Sequence, residues 1–146
     1  MDTPTTADAR DIERELRIAA PPATVFAYFT DPARMVRWMG RTVDLDPRPG
    51  GVLRIAYNGT DIARGAFVEV DPPRRVVFTW GWEMPGDSVP AGASTVEVTL
   101  TPAGDGTIVR LIHHGLPSDA VDGHTEGWDH FLPALRGAVE EESAAV

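Results

Sequence analysis

Residues 62–82 read IARGAFVEVDPPRRVVFTWGW, and this stretch decides the fold. Ile62 to Val70 has the composition of a strand. Asp71-Pro72-Pro73-Arg74 ends it with residues that favour turns. Beyond the turn, Val76, Phe78, Trp80 and Trp82 fall on alternate positions and share one face of a second strand.

The same period of two extends on both sides. Upstream, Leu53, Ile55 and Tyr57 alternate with Arg54 and Ala56. Asn58-Gly59 follows as a hairpin signal, because both residue types tolerate positive φ. Val43 and Leu45 mark a shorter strand, closed by a turn at Pro49-Gly50-Gly51. Downstream, residues 85–93 form a loop rich in Pro, Gly and Ala. Val96, Val98 and Leu100 alternate with Glu97, Thr99 and Thr101, and Gly104-Asp105-Gly106 turns into Thr107–His113. Arg110 belongs on the water side of that last strand, which puts Val109, Leu111 and His113 inward.

The two ends supply the rest. Ile12 to Ile18 alternates apolar and charged residues, so it reads as a half-buried strand. Pro21-Pro22 stops it, and Val25, Phe26 and Phe29 have helical spacing. Asp31-Pro32 starts a second short helix with a good N-cap and a good first-turn residue. That helix carries Met35, Val36, Trp38 and Met39 and stops at Gly40. Near the C-terminus, His124, Trp128, Phe131, Leu132, Leu135 and Val139 form one apolar stripe on a helix that begins near Ser118 or Asp119. Pro133 inside it predicts a bend, and Glu140-Glu141-Glu142 predicts a frayed end. The order is strand, two short helices, six strands, one long helix. Hairpin-linked strands beside a separate helix predict an α+β domain. Its curved antiparallel sheet wraps around the long C-terminal helix, with both short helices between strands 1 and 2. Residues 1–10 read as a flexible tail, 11–142 as one domain and 143–146 as a second tail.

Composition narrows the chemistry. The chain has 146 residues, 42% hydrophobic and 24% charged, ordinary values for a soluble globular protein. It has no cysteine, which removes disulfides, thiolate metal sites and thiol catalysis. All 13 basic residues are Arg, so Schiff-base lysine chemistry is absent. A net charge of −9 argues against nucleic acid as a partner. No apolar run is long enough to span a membrane. The N-terminus lacks the pattern of a signal peptide, so the expected location is the cytoplasm. The charge is uneven: residues 34–75 hold eight Arg and five acids, and residues 76–146 hold two Arg and eleven acids. The first block is a candidate anion-tolerant patch.

Several local sequences together resemble the SRPBCC superfamily, the START-like helix-grip fold. Within it they are similar to the bacterial branch related to the activator of the heat-shock-protein-90 ATPase. The pieces are Ala20-Pro21-Pro22 with Val25-Phe26, Asp31-Pro32 with Trp38, Pro49-Gly50-Gly51, Gly65 to Trp80, Thr107 to His113 with Gly115-Leu116, and Gly127-Trp128 with Leu132 and Leu135. They run from about residue 12 to residue 140. The resemblance implies a cavity between sheet and long helix that takes a small hydrophobic or aromatic molecule, for sequestration, transport or sensing. Relatives also include polyketide cyclase/aromatase enzymes and stress-related co-chaperones. An enzyme using the same cavity, or a partner-binding module, is therefore an alternative, with non-enzymatic binding preferred.

The candidate ligand-binding residues are Tyr57, Phe67, Phe78, Trp80, Trp82, His113, His124, Trp128, Phe131 and Leu132. Aromatic walls suit an apolar ligand, and a Trp N–H needs an acceptor when buried. His113 and Glu69 are the candidate proton movers, Glu69 because it shares strand parity with Phe67. No metal site is expected. His124 and His130 diverge by about 240° on a helix, and no His-x-x-x-His occurs. No cofactor motif is present, neither a P-loop nor Gly-x-Gly-x-x-Gly. Self-association into a homodimer is left open.

Overall fold

The computed structural model describes residues 11–144. The expected N-terminal tail at 1–10 and the last residues, 145 and 146, lie outside them. The elements follow in the order β1 (Ile12–Ile18), α1 (Pro22–Thr30), α2 (Pro32–Met35), β2 (Thr42–Leu45), β3 (Val52–Ala56), β4 (Ile62–Asp71), β5 (Arg75–Trp80), β6 (Ser94–Ala103), β7 (Gly106–His114) and α3 (Ser118–Ala144). The strands form one seven-stranded curved sheet in the order β1-β7-β6-β5-β4-β3-β2, every neighbour antiparallel. The helical segment α1–α2 joins the two edge strands, and α3 packs its buried residues Ala120, Trp128, Leu132, Leu135 and Val139 toward the sheet. This is an α+β helix-grip fold, as the alternation of the strands and the single long amphipathic stripe require.

Register explains which side chains reach the interior. Ile12 pairs with His113, His113 with Val96, Val96 with Phe78, and Phe78 with Phe67. Those five residues form one lateral row across the sheet, and all are at most 3% exposed. The row ends at a β-bulge. Phe67 faces Phe78 while Glu69 faces Val77, so Val68 is the inserted residue. A one-residue insertion reverses strand parity. Glu69 therefore emerges on the outer face, where Arg75 Nε donates to its carboxylate at 3.0 Å. It does not share a face with Phe67.

Two local expectations change in detail. The β3–β4 connection is a five-residue loop between paired Ala56 and Ile62, not a two-residue turn. Asn58 shapes it through its side chain: Oδ1 accepts from the backbone N–H groups of Thr60 (2.8 Å) and Asp61 (2.7 Å). Gly59 is not among the glycines with positive φ. At α3, the helix continues through Pro133 and past Glu142 to Ala144. Its end is held rather than frayed. Glu142 accepts from Arg34 Nη2 (3.0 Å) and from the Tyr28 hydroxyl, and Glu140 accepts from the Ala19 N–H at 2.8 Å. Asp31 caps α2 as expected, accepting from the Ala33 N–H at 3.0 Å.

Candidate functional site

The sheet and α3 do not close completely. A pocket of about 550 Å³ remains beside the first half of α3. Helix α3 contributes Ala120, Gly123, His124, Gly127, Trp128 and Phe131. Trp80 and Trp82 come from the end of β5 and just beyond, and Tyr57 comes from the β3–β4 loop. Thr60, Met84 and Ser88 are exposed members of the lining and form the mouth with Asp61 and Asp87. The volume falls in the usual range for a small-molecule site.

The aromatic wall is continuous. Trp80 stands edge-on to Trp82, with centroids 5.7 Å apart and planes at 86°. Trp80 also contacts Trp128 at 5.8 Å, and Tyr57 bridges Trp82 (5.8 Å) and Phe131 (5.5 Å). Burial pushes the Tyr57 phenol well above its ordinary pKa, so that ring stays neutral. The strand carrying this wall continues past β5 through the Trp82 bridges to Ala63 and Pro90, with Trp82 N–H donating to Val89 O at 2.9 Å. Gly81 permits this close approach: a Cβ there would lie 1.8 Å from Pro90 O.

Hydrogen bonds fix both inner histidines. Trp128 Nε1–H donates to His113 Nδ1 at 3.0 Å, so that nitrogen carries no proton. The proton of the neutral ring is therefore on Nε2, which donates to Ser94 Oγ at 2.8 Å, and Ser94 Oγ–H donates to Trp80 O at 2.7 Å. Desolvation, with smaller effects from His124 and His114, pushes the His113 pKa down to about 3. His124 is arranged the opposite way. Trp82 Nε1–H donates to its Nε2 at 3.0 Å, and its Nδ1–H donates to Ala120 O at 2.8 Å.

One donor is left over. Trp80 Nε1 is enclosed and has no hydrogen-bond partner among the described residues. The other enclosed atoms without a hydrogen bond, on Glu97 and His114, sit beside charged neighbours on the outer face. An unpaired buried N–H costs about 1–3 kcal/mol. Trp80 thus holds an unpaired donor enclosed in the pocket wall, and the Tyr57 hydroxyl in the lining also lacks a protein partner among the described residues.

Of the ten ligand-binding candidates, Tyr57, Trp80, Trp82, His124, Trp128 and Phe131 line the pocket. Phe67, Phe78, His113 and Leu132 do not. The first three belong to the lateral row in the sheet interior, and Leu132 lies one residue beyond the lining on the core side of α3. His113 touches the pocket only through its lining residues Trp80, His124 and Trp128. Glu69 is outside altogether.

Sequence reasoning missed Met39, Thr60, Asp61, Met84, Asp87, Ser88, Ala120, Gly123 and Gly127. A signal existed for the two glycines. Each Gly inside a helix costs roughly 0.5–1 kcal/mol relative to Ala, and these two are one turn apart on one face. A Cβ at either would meet nothing within 4 Å. Among the described residues, seven of the eight Arg in the block 34–75 are in ion pairs, Arg41 being the exception. Arg34 and Arg37 bind Glu142, Arg54 and Arg64 bind Glu83, Arg74 binds Asp71 and Arg75 binds Glu69. Among the described residues, no group of three His, Asp or Glu side chains gathers closely enough to hold a metal ion.

A curved antiparallel sheet gripping a long helix, with an aromatic-lined pocket at one end of the grip, defines a helix-grip domain. Residues 19–140 match the family described as activator of Hsp90 ATPase homolog 1-like protein, and the chain belongs to that family. A solved AHSA1-like protein from Rhizobium etli is 40% identical, covers 92% of this chain and 87% of its own, and superposes with a TM-score of 0.70. Protein MLL2253 from Mesorhizobium loti is similar in fold, with a TM-score of 0.81 at 24% identity over 90% of this chain and 97% of its own. The Aha1 dimer from Colwellia psychrerythraea is likewise similar in fold, with a TM-score of 0.77 at 20% identity over 89% of this chain and 96% of its own. A curated relative, the uncharacterized protein C1711.08 of Schizosaccharomyces pombe, is 28% identical over 130 residues, or 86% of this chain. The match spans only 36% of that relative's length. No helix among the described residues is long and apolar enough to cross a membrane.

Proposed function

We propose that this protein binds a small aromatic molecule carrying a hydrogen-bond acceptor, held in the pocket between the end of β5 and the first half of α3. The observation that carries this reading is a 550 Å³ pocket walled by aromatic rings, with the unpaired Trp80 Nε1–H enclosed within its wall. A ligand carbonyl or ether oxygen would satisfy that donor once a small shift of the Trp80 ring uncovers it. Burying about 300 Å² of apolar ligand surface would contribute roughly 7 kcal/mol at about 25 cal/mol per Å², before the cost of ordering. Membership of the family and the helix-grip fold support a ligand-binding role.

The cyclase-like alternative needs a proton donor or acceptor at the pocket wall. The two proton movers expected from the sequence stand elsewhere, and the titratable groups of the lining are Tyr57, Asp61, Asp87 and His124. His113 has each ring nitrogen engaged by the protein, and Glu69 is on the outer face. The co-chaperone-like alternative needs a contiguous exposed apolar patch. The exposed large apolar side chains among the described residues, Val36, Val68 and Met84, lie on three different segments. The binding reading is tested by titrating 2-acetonaphthone while following tryptophan fluorescence and native mass. A saturable complex with one ligand per chain is expected. Failure of aromatic ketones and quinones alike to bind contradicts it.

A further inference from the structure

The pocket's charge carries a second conclusion, which rests on the binding reading and narrows it. No Arg lines the pocket, and two carboxylates stand at its mouth, Asp61 and Asp87. Neither has an ion-pair partner among the described residues. Asp61 accepts from Asn58 Nδ2 at 2.8 Å, and Asp87 accepts from the Val89 N–H at 2.9 Å, both neutral donors. Arg54 and Arg64 are committed to Glu83 at 2.7 and 3.3 Å, and Arg41, whose backbone N–H donates to Ala56 O, is outside the lining.

The wall helix adds charge of the same sign. From Ser118 to Leu135, α3 carries Asp119, Asp122, Glu126 and Asp129, no Arg, and the histidines His124 and His130. Of the four acids, Asp129 is taken up by Arg14. One feature has the opposite sign: the helix N-terminus, whose partial positive charge Asp119 offsets in the first turn. The uneven charge of the sequence thus has a structural consequence. Much of the Arg-rich block is neutralised by acids of residues 76–146, Glu83 and Glu142 among them, while Asp61 and Asp87 stay without an ion pair at the ligand entrance.

We infer that the pocket selects an aromatic cation. Its ring system lies among Tyr57, Trp80, Trp82, Trp128 and Phe131, its acceptor oxygen meets Trp80 Nε1–H, and its ammonium group sits at the mouth beside Asp61 and Asp87. The ring faces favour a cation as well. Fatty acids and other carboxylates are disfavoured, because a bound anion would meet two carboxylates and no arginine.

Three ketones of one shape test this: 2-acetonaphthone, its 6-trimethylammonium derivative and its 6-carboxylate. Affinities are read by calorimetry and tryptophan fluorescence at low and high salt. The ammonium ketone is expected to bind about tenfold tighter than the carboxylate at low salt, with the gap narrowing as salt screens it. In Asp61→Asn/Asp87→Asn the ratio of the ammonium to the carboxylate affinity should shrink to about twofold. If that variant misfolds, the salt series on the natural chain decides alone. Equal affinities for all three ketones would overturn cation selection and leave the binding reading standing. A tighter carboxylate would do the same. Binding of none of the three would overturn both.

Discussion

Gly123 and Gly127 allow stability and ligand binding to be separated in one helix. Both lie inside α3, face the pocket and would place a Cβ in open space. Replacing each with Ala removes the backbone-entropy cost of a helical glycine, roughly 0.5–1 kcal/mol per site. The double variant Gly123→Ala/Gly127→Ala should therefore gain about 1–2 kcal/mol. For a chain of this size, that raises the melting temperature by a few degrees, at roughly 2–4 °C per kcal/mol. Replacing both with Leu keeps most of the helix gain but fills the pocket with two branched side chains. Thermal denaturation followed by circular dichroism reads the stability, and tryptophan fluorescence with an aromatic ketone reads the binding. The Leu pair should lose at least about tenfold in affinity without losing stability, the trade expected when a site is kept open at the expense of the fold. A drop in melting temperature for the Ala pair would show that the space is not open. Unchanged affinity in the Leu pair would show that ligand lies elsewhere.

Other consequences follow from the same geometry. Because the folded-state pKa of His113 lies below its ordinary 6.5, the unfolded chain binds the extra proton first. The stabilisation is complete above about pH 6.5 and is lost as pH falls toward 3, by up to about 1.4 kcal/mol per pH unit. Urea denaturation between pH 4 and 8 should show that slope in the natural chain and a shallower one in His113→Gln. The same variant should be less stable at pH 7 by about 1–3 kcal/mol, since Trp128 and Ser94 lose their partner. Gly81→Ala forces the 84–91 loop away from β5, because its Cβ would lie 1.8 Å from Pro90 O. It should weaken ligand binding and increase amide exchange at Trp82. Glu69→Ala, at the surface beside Arg75, should change stability by less than about 1 kcal/mol and ligand affinity not at all. A large loss of affinity there would return Glu69 to the site.

The fold was legible in the sequence because period-two alternation and one long apolar stripe are direct consequences of burying one face. The site was half legible. Aromatic residues on known faces, such as Trp80, Trp82 and Trp128, could be placed by parity alone. Glu69 could not, since nothing local announces the inserted Val68 that reverses its strand. His113 was placed inward correctly, but whether an inward residue meets ligand or core depends on which row of the sheet it occupies. That follows from register across five strands. Asp61 and Asp87 looked like loop residues because their role comes from where two loops meet α3, contacts distant in sequence. The hold on Glu142 was hidden for the same reason: its partners Arg34 and Tyr28 lie more than a hundred residues away.

The claim at the centre is that Trp80 Nε1–H waits for an acceptor supplied by ligand. The chain has four tryptophans, hence four indole N–H signals in a nitrogen–proton correlation spectrum. Trp38, Trp82 and Trp128 already donate to Tyr28 O, His124 and His113. On titration with an aromatic ketone, the Trp80 signal should move downfield as a new hydrogen bond forms, while Trp38, bonded to the Tyr28 backbone and absent from the pocket lining, stays in place. A bound ketone that leaves the Trp80 signal unmoved would contradict the account.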